Sequence, residues 1–403
     1  MKLLINHFRI WWQKPADITQ RNPNREVSQL ELFYDLVYVA IIIQLTHIVV
    51  GNISITSVLA YVSLFLMMFW AWFNGSLYHE LHGNHDLKTR FVIFLQMICL
   101  IGMGIFIHSI FDGGYQGFAI SYGLFLGLFT ILWWRTGVHD VDHKPISQPF
   151  VYLFCLMTIA FFVSVFTPAK ISYFIWIIAV FFSLIFTLFS MIKENKKAKA
   201  EQLEAIRNIG ESFVERLGLL GIIILGEGVA SIVSGSTHIH HWTILNILNV
   251  IGSFILLVTL WWIFFDFISR RLPKKDNYSK SMWLGLHFPL MASLGLIDTG
   301  ILNLLEYVQT PHLADKLVLI IPIIIFLLSC IGLMKVIKVS DGLKFIYKNA
   351  DMPMILAIVG LLILLFLPIN TTILIWLSIA CLLAPIYSAF LMWIEWKSEE
   401  TIN

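Results

Sequence analysis

The chain has 403 residues, 58% of them hydrophobic and 13% charged, with a formal net charge of +2 and a mean hydropathy of +0.82. A soluble domain carries roughly 45–50% apolar and about 25% charged residues, so this composition excludes a water-soluble globular protein. No basic domain stands outside the apolar runs, which argues against a nucleic-acid partner.

In chain order, residues 1–28 are expected to form a cytoplasmic arm. They are not a secretory signal, because Trp11, Trp12, Pro15 and several charges interrupt them and no apolar core leads to a small-residue cleavage site. A helix needs roughly 20 apolar residues to cross about 30 Å of hydrocarbon. Such runs fall at 30–50, 56–78, 90–110, 117–135, 149–168 and 171–192, then at 212–234, 243–268, 281–303, 316–337, 352–368 and 371–395. Backbone groups in lipid must be satisfied within their own segment, so each run is read as a helix. The fold class is therefore an all-α integral membrane protein with about twelve transmembrane helices.

Sidedness follows from the basic residues, which concentrate in cytoplasmic loops. All but three of the 27 Lys and Arg residues fall in the N-terminal arm, in the loops after even-numbered runs, or in the tail. Lys170 and Lys316 lie on the other side, and Arg216 sits within the seventh run. Both termini are predicted to be cytoplasmic.

The chain also repeats itself. Phe166-Thr-Pro168 through Trp176 corresponds to Phe366-Leu-Pro368 through Trp376, each at the turn before the last helix of a half. Trp70 and Trp72 precede Asn74 as Trp261 and Trp262 precede Asp266, and Glu31 opens the first run as Glu215 opens the seventh. Two parallel six-helix repeats are expected: an arm at 1–28, a first repeat at 29–192, a basic cytoplasmic linker at 193–210, a second repeat at 211–396 and a tail at 397–403. Six is an even number of crossings, so the halves share one orientation.

Cys99, Cys155, Cys330 and Cys381 lie in apolar runs without metal-type spacing and read as small buried hydrophobes. Polar side chains inside the runs are expensive, about 2.5–3.5 kcal/mol for a charge at a helix centre, so function is sought there. The first run carries Glu31, Asp35, Gln44 and His47. Glu31 and Asp35 are four apart and share a face. They are either a proton- or cation-binding pair or a structural pair neutralised by Arg216. Gly226-Glu227-Gly228 places a carboxylate near mid-membrane between glycines that loosen the helix, as at the interrupted helices of transporter binding sites. His287, beside Pro289, is either a proton relay to Glu227 or a satisfied core histidine. Asp266 and Asn74 sit near cytoplasmic helix ends, with Arg270 as a candidate partner for Asp266. His108, Asp298 and Glu306 are expected in the outer, solvated region.

The stretches His79-Glu-Leu-His82-Gly-Asn-His85-Asp86 and His139-Asp140-Val-Asp142-His143, and the group His238, His240 and His241, resemble metal sites but read as solvated loops. In the first, the second His falls three rather than four residues on, unlike the zinc-protease motif. No metal or other cofactor is assigned. Nucleotide-binding loops and nucleophile elbows are absent, so ATP-driven transport by this chain is not expected.

Val27-Ser-Gln-Leu-Glu31-Leu-Phe-Tyr-Asp35-Leu-Val-Tyr-Val resembles the opening signature of the bacterial low temperature requirement A (LtrA) family. Glu215-Arg216-Leu-Gly-Leu-Leu-Gly-Ile-Ile-Ile-Leu-Gly226-Glu227 resembles its second signature, and Trp261-Trp262-Ile-Phe-Phe-Asp266 a third. Asp86, Arg90 and His287-Phe-Pro289 extend the similarity over most of the chain. The resemblance implies a bacterial cytoplasmic (inner) membrane protein linked to growth in the cold. The leading expectation is an ion- or proton-coupled transporter of a small solute, embedded among membrane lipids. In it Glu227, His287, Gly226 and Gly228 line the site, and Glu31, Asp35, Glu215 and Arg216 form an intramembrane charge cluster. A membrane-embedded lipid-modifying enzyme or factor is the alternative, and a non-catalytic sensor or assembly partner the next; no nucleophile–base pair supports an enzyme.

Overall fold

Every predicted apolar run is a helix in the computed structural model, which describes residues 13–20, 25–83, 86–192, 199–207, 209–237, 239, 241–307, 310–340 and 343–402. The helices are α1 (Gln29–Thr46), α2 (Ile55–His82), α3 (Leu87–Phe106), α4 (Tyr115–His139), α5 (Lys144–Ser164), α6 (Ala169–Ile192), α7 (Ala200–Arg207), α8 (Glu211–Thr237), α9 (Ile244–Phe267), α10 (Asn277–Tyr307), α11 (Leu313–Val336), α12 (Lys344–Asn349), α13 (Asp351–Leu364) and α14 (Thr371–Ile402). Twelve helices among the described residues are long and apolar enough to cross a membrane. Among those residues there is no strand, only an isolated bridge between Pro273 and Ile337. The protein is a multi-pass helical membrane protein. Most of the expected arm, the linker positions 193–198 and 208, and the residues Asn84, His85, His238 and His240 lie outside the described residues.

Local chemistry explains the helix ends. Asp86 caps α3: its carboxylate accepts from the Thr89 backbone N–H at 3.1 Å and from the Thr89 hydroxyl at 2.6 Å. Thr243 caps α9 in the same way, accepting from the Asn246 N–H. α13 carries Pro353 in its first turn, where a missing N–H costs nothing.

The chain groups into two compact units, one of residues 1–45 and 63–216, the other of 46–62 and 217–403. In the first unit, α3 to α6 pack in sequence. Its core is aromatic: Tyr122 stacks on Phe161 at 4.5 Å, Phe161 on Trp176 at 5.7 Å and Trp133 on Phe150 at 4.7 Å. Several buried rings of this core have partners for their polar atoms: Trp70 Nε1 donates to Ser183 Oγ, Trp176 Nε1 to Ser164 Oγ and the Tyr122 hydroxyl to the Met67 carbonyl, whereas Trp133 Nε1 has none among the described residues.

The second unit is built on aliphatic packing of α10 against α11 and of α9 against α14. At Gly300 the α10 backbone comes so close to α11 that a Cβ would lie 3.0 Å from Leu319 Cα, so only glycine fits without displacement.

Three expectations are corrected. α8 runs unbroken through Gly226-Glu227-Gly228, so these glycines do not open the helix. α2 extends to His82, so His79 and His82 are helical, and with His143 they are buried rather than solvated. Of the cysteines, Cys99 and Cys330 are buried, but Cys155 is exposed and Cys381 half-buried, because helices with one face turned outward place some small apolar residues there.

Candidate functional site

In the first unit a charge network gathers residues from four segments. Arg216, in the second turn of α8, is 1% exposed and Asp35, in the second turn of α1, is fully buried. Arg216 Nη2 lies 2.5 Å from Asp35 Oδ1 and Nε 3.1 Å from Oδ2, a bidentate fork. Trp72 Nε1 donates to the same Oδ1 at 2.8 Å. The guanidinium carbon also sits 6.0 Å from the Tyr34 ring centroid and 5.8 Å from that of Trp72. Glu31 stands 3.6 Å from Arg216 Nη1 and 2.6 Å from Arg25 Nη2, and accepts from the Ser28 hydroxyl and backbone N–H. Arg25 reaches on to Glu80 at 3.4 Å and to the His79 carbonyl at 3.2 Å, and the Ser212 hydroxyl donates to Glu80.

The buried base expected beside Glu31 and Asp35 is therefore in place, and two members were missed. Arg25 reads in the sequence as one more arm cation, and Glu80 as part of a histidine-rich loop. The signal that could have found Glu80 is that it lies one turn beyond Ser76 and Gly75, so the polar face of α2 continues through it. Charges this well paired, with several hydrogen bonds each, can remain buried. They hold α1, α2 and the start of α8 in one arrangement, in which Glu31 Oε1 and Arg216 Nη1 form an ion pair at 3.6 Å without a hydrogen bond. Glu215, next to Arg216, is exposed and outside the network.

The second unit holds the opposite situation. Glu227 in α8 is 6% exposed, and Asp298 in α10 is fully buried. Both Asp298 carboxylate oxygens and Glu227 Oε2 lack a hydrogen-bond partner among the described residues, and Glu227 Oε1 has only Ser231 at 3.5 Å. The two carboxyls are near enough to interact electrostatically. A Cβ on Gly228 would collide with Asp298 Oδ1, so glycine here admits the carboxylate of a neighbouring helix to the α8 backbone. Tyr61 lies within electrostatic reach of Asp298, and its hydroxyl lies against Gly295 and donates to the Ala292 carbonyl at 3.4 Å. Asp298, expected to be solvated, is thus the most deeply buried carboxylate of this unit among the described residues. Its position late in the ninth apolar run suggested the aqueous boundary, but α10 runs on to Tyr307, which leaves Asp298 well inside the helix.

Gly226, by contrast, is exposed with open space where a Cβ would stand. His287 is buried, but its Nδ1 bonds the Trp283 carbonyl at 2.7 Å and its ring lies 4.3 Å from that of Trp283. It answers to its own helix, and no bond joins it to Glu227 among the described residues. Of the remaining polar residues, Asn74 donates to Trp70 O in its own helix and Asp266 accepts from Trp262 Nε1, not from Arg270. Gln44 accepts from His108 Nε2 at 2.8 Å. His47 is exposed, Asp86 is the cap described above, and Arg90 is exposed. His82 and His143 meet with ring centroids 4.8 Å apart. No group of three His, Cys, Asp or Glu able to hold a metal occurs among the described residues.

The family described as bacterial low temperature requirement A protein (LtrA) has a model that matches residues 26–391. No curated protein and no solved structure matches the chain.

Proposed function

The chain belongs to the bacterial low temperature requirement A family, and on that premise we propose that it is a proton- or cation-coupled permease for a small solute, working in the bacterial inner membrane. The observation that carries this reading is the Glu227–Asp298 pair. Two neighbouring carboxyls without a base or a full set of donors among the described residues need positive charge, since a buried unpaired carboxylate costs several kcal/mol. A proton or a cation supplies it, and its arrival or departure changes which packing of α8 on α10 is favoured. Coupled transport requires that kind of ligand-dependent bias between states.

In this reading the Glu31–Asp35–Arg216 network is a fixed brace rather than part of the transport path. Both termini face the cytoplasm, and the chain is two parallel six-helix repeats, at 29–192 and 211–396. The matching turns support the repeat: α5 ends at Ser164 and α13 at Leu364, each followed by a turn and a proline at the same register, Pro168 and Pro368. A role in cold growth follows from the family description alone.

Solid-supported-membrane recording on purified protein in liposomes tests the proposal. Steps in pH, alkali cations and a metabolite panel should evoke a charge transient in wild type that Asp298→Asn and Glu227→Gln abolish while the protein remains folded. A wild-type transient unchanged in both variants would remove the pair from the mechanism.

A further inference from the structure

Beside the charge network, in the first unit, lies a cavity of about 590 Å³ formed by the starts of α1 and α3 and the end of α2. Its volume is within the roughly 300–1,000 Å³ of small-molecule sites. Its lining combines polar Arg25, Glu31, His79 and Arg90 with apolar Phe33 and Phe94, which lie further along α1 and α3 than Glu31 and Arg90. Phe33 and Phe94 are 54% and 44% exposed on helices long and apolar enough to span a membrane, where exposed aromatic side chains suit an acyl chain.

The charges in this lining are unequal in their satisfaction. Glu31 is neutralised by Arg25 and Arg216, and Arg25 is held by Glu31 and Glu80. The Arg90 guanidinium makes no hydrogen bond or ion pair among the described residues. His79, only 2% exposed, donates from Nε2 to Gln96 Oε1, so its Nδ1 is an acceptor in the wall and not a donor to an anion. A guanidinium without a countercharge among the described residues, beside aromatic side chains exposed further along the same helices, describes a phosphodiester with a hydrocarbon tail.

We propose that this cavity binds one anionic glycerophospholipid, its phosphate on Arg90 and an acyl chain along Phe33 and Phe94. Arg is suited to phosphate because its planar fork donates two parallel hydrogen bonds, and basic pockets between spanning helices at the membrane surface recognise anionic headgroups. A zwitterionic lipid fits less well, since its ammonium would be a further cation beside Arg25 and Arg90, and Glu31 in the lining is already neutralised by Arg25 and Arg216. The site is independent of the Glu227–Asp298 pair and does not depend on transport.

The test uses the full chain, delipidated in dodecyl maltoside. Binding of phosphatidylglycerol, phosphatidylcholine and glycerol 3-phosphate is followed by native mass spectrometry and by the shift in Tm. Phosphatidylglycerol should bind at one saturable site and raise Tm. Arg90→Gln should weaken it about tenfold, the loss of one charge-assisted contact, and Arg90→Lys should weaken it less. Phe33→Ala with Phe94→Ala should weaken the lipid, and Arg270→Gln, an exposed arginine elsewhere in the chain, should change nothing. Arg90 is exposed and has no side-chain partner among the described residues, so its variants should fold, and their unliganded Tm checks this. Equal binding of phosphatidylcholine would overturn the anionic assignment, glycerol 3-phosphate binding as tightly as the lipid would overturn the lipid assignment, and phosphatidylglycerol binding unchanged in Arg90→Gln would overturn the site.

Discussion

The Asp298 carboxylate rests on the backbone of Gly228, where a single added methyl would strike its Oδ1. Two glycines that look equivalent in sequence on either side of Glu227 are therefore opposites. Gly228→Ala forces α10 away from α8, and overpacking of this kind costs about 1–3 kcal/mol. Gly226→Ala meets open space and gains about 0.5–1 kcal/mol of helix propensity. Thermal unfolding in detergent should fall for the first and hold or rise for the second, and only the first should lose the ion-evoked transient.

Arg216 and Asp35 form the buried pair whose rupture is most damaging. Arg216→Gln should destabilise by about 3–5 kcal/mol, because it leaves Asp35 charged and unpaired. Asp35→Asn should do comparable harm. The double variant should recover part of the loss, as a double-mutant cycle on protein accumulation and Tm would record. Glu215→Gln, one residue away and exposed, should be silent. If Arg216→Gln accumulated like wild type, the brace would be disproved.

Glu31 can lose its charge more cheaply. Its partner Arg25 is 19% exposed and keeps Glu80 as a second partner, so Glu31→Gln should cost less than Asp35→Asn on the same assay. The reverse order would mean that Glu31, not Asp35, anchors Arg216.

At the start of α10, Asp276 accepts from the Ser279 backbone N–H at 2.8 Å, and this hydrogen bonding holds its carboxyl below the ordinary 3.8. A carboxylate with a depressed folded value stabilises above its unfolded value and loses that contribution as pH falls through the folded one. Hydrogen exchange of the Ser279 amide should therefore be faster in Asp276→Ala than in wild type at neutral pH. The difference should close only below about pH 3.8. A difference that persisted unchanged in strong acid would show that the carboxylate is not the acceptor that matters.

The spanning helices were legible because the signal is long and redundant: some twenty apolar residues per crossing, with basic residues alternating between loops. Arg216 could be matched to Glu31 and Asp35 because a lone intramembrane base must find an acid. Asp298 was misread because sequence depth is measured from a guessed helix end, and the ends of α10 fall beyond those of its apolar run. Gly226 and Gly228 could not be told apart, since which face of α8 meets α10 is a matter of rotation about the helix axis. The Arg25–Glu80 link joins residues 55 positions apart, one of them outside any helix, and no periodicity encodes such a contact.

Trp72 donates its indole N–H to the oxygen of Asp35 that Arg216 also holds. The indole transition is sensitive to charge at that nitrogen, so the emission and near-ultraviolet dichroism of this one ring register whether the fork is closed. The protein carries an intrinsic optical gauge of its own brace, and comparison of wild type with Trp72→Phe isolates its signal without any added label.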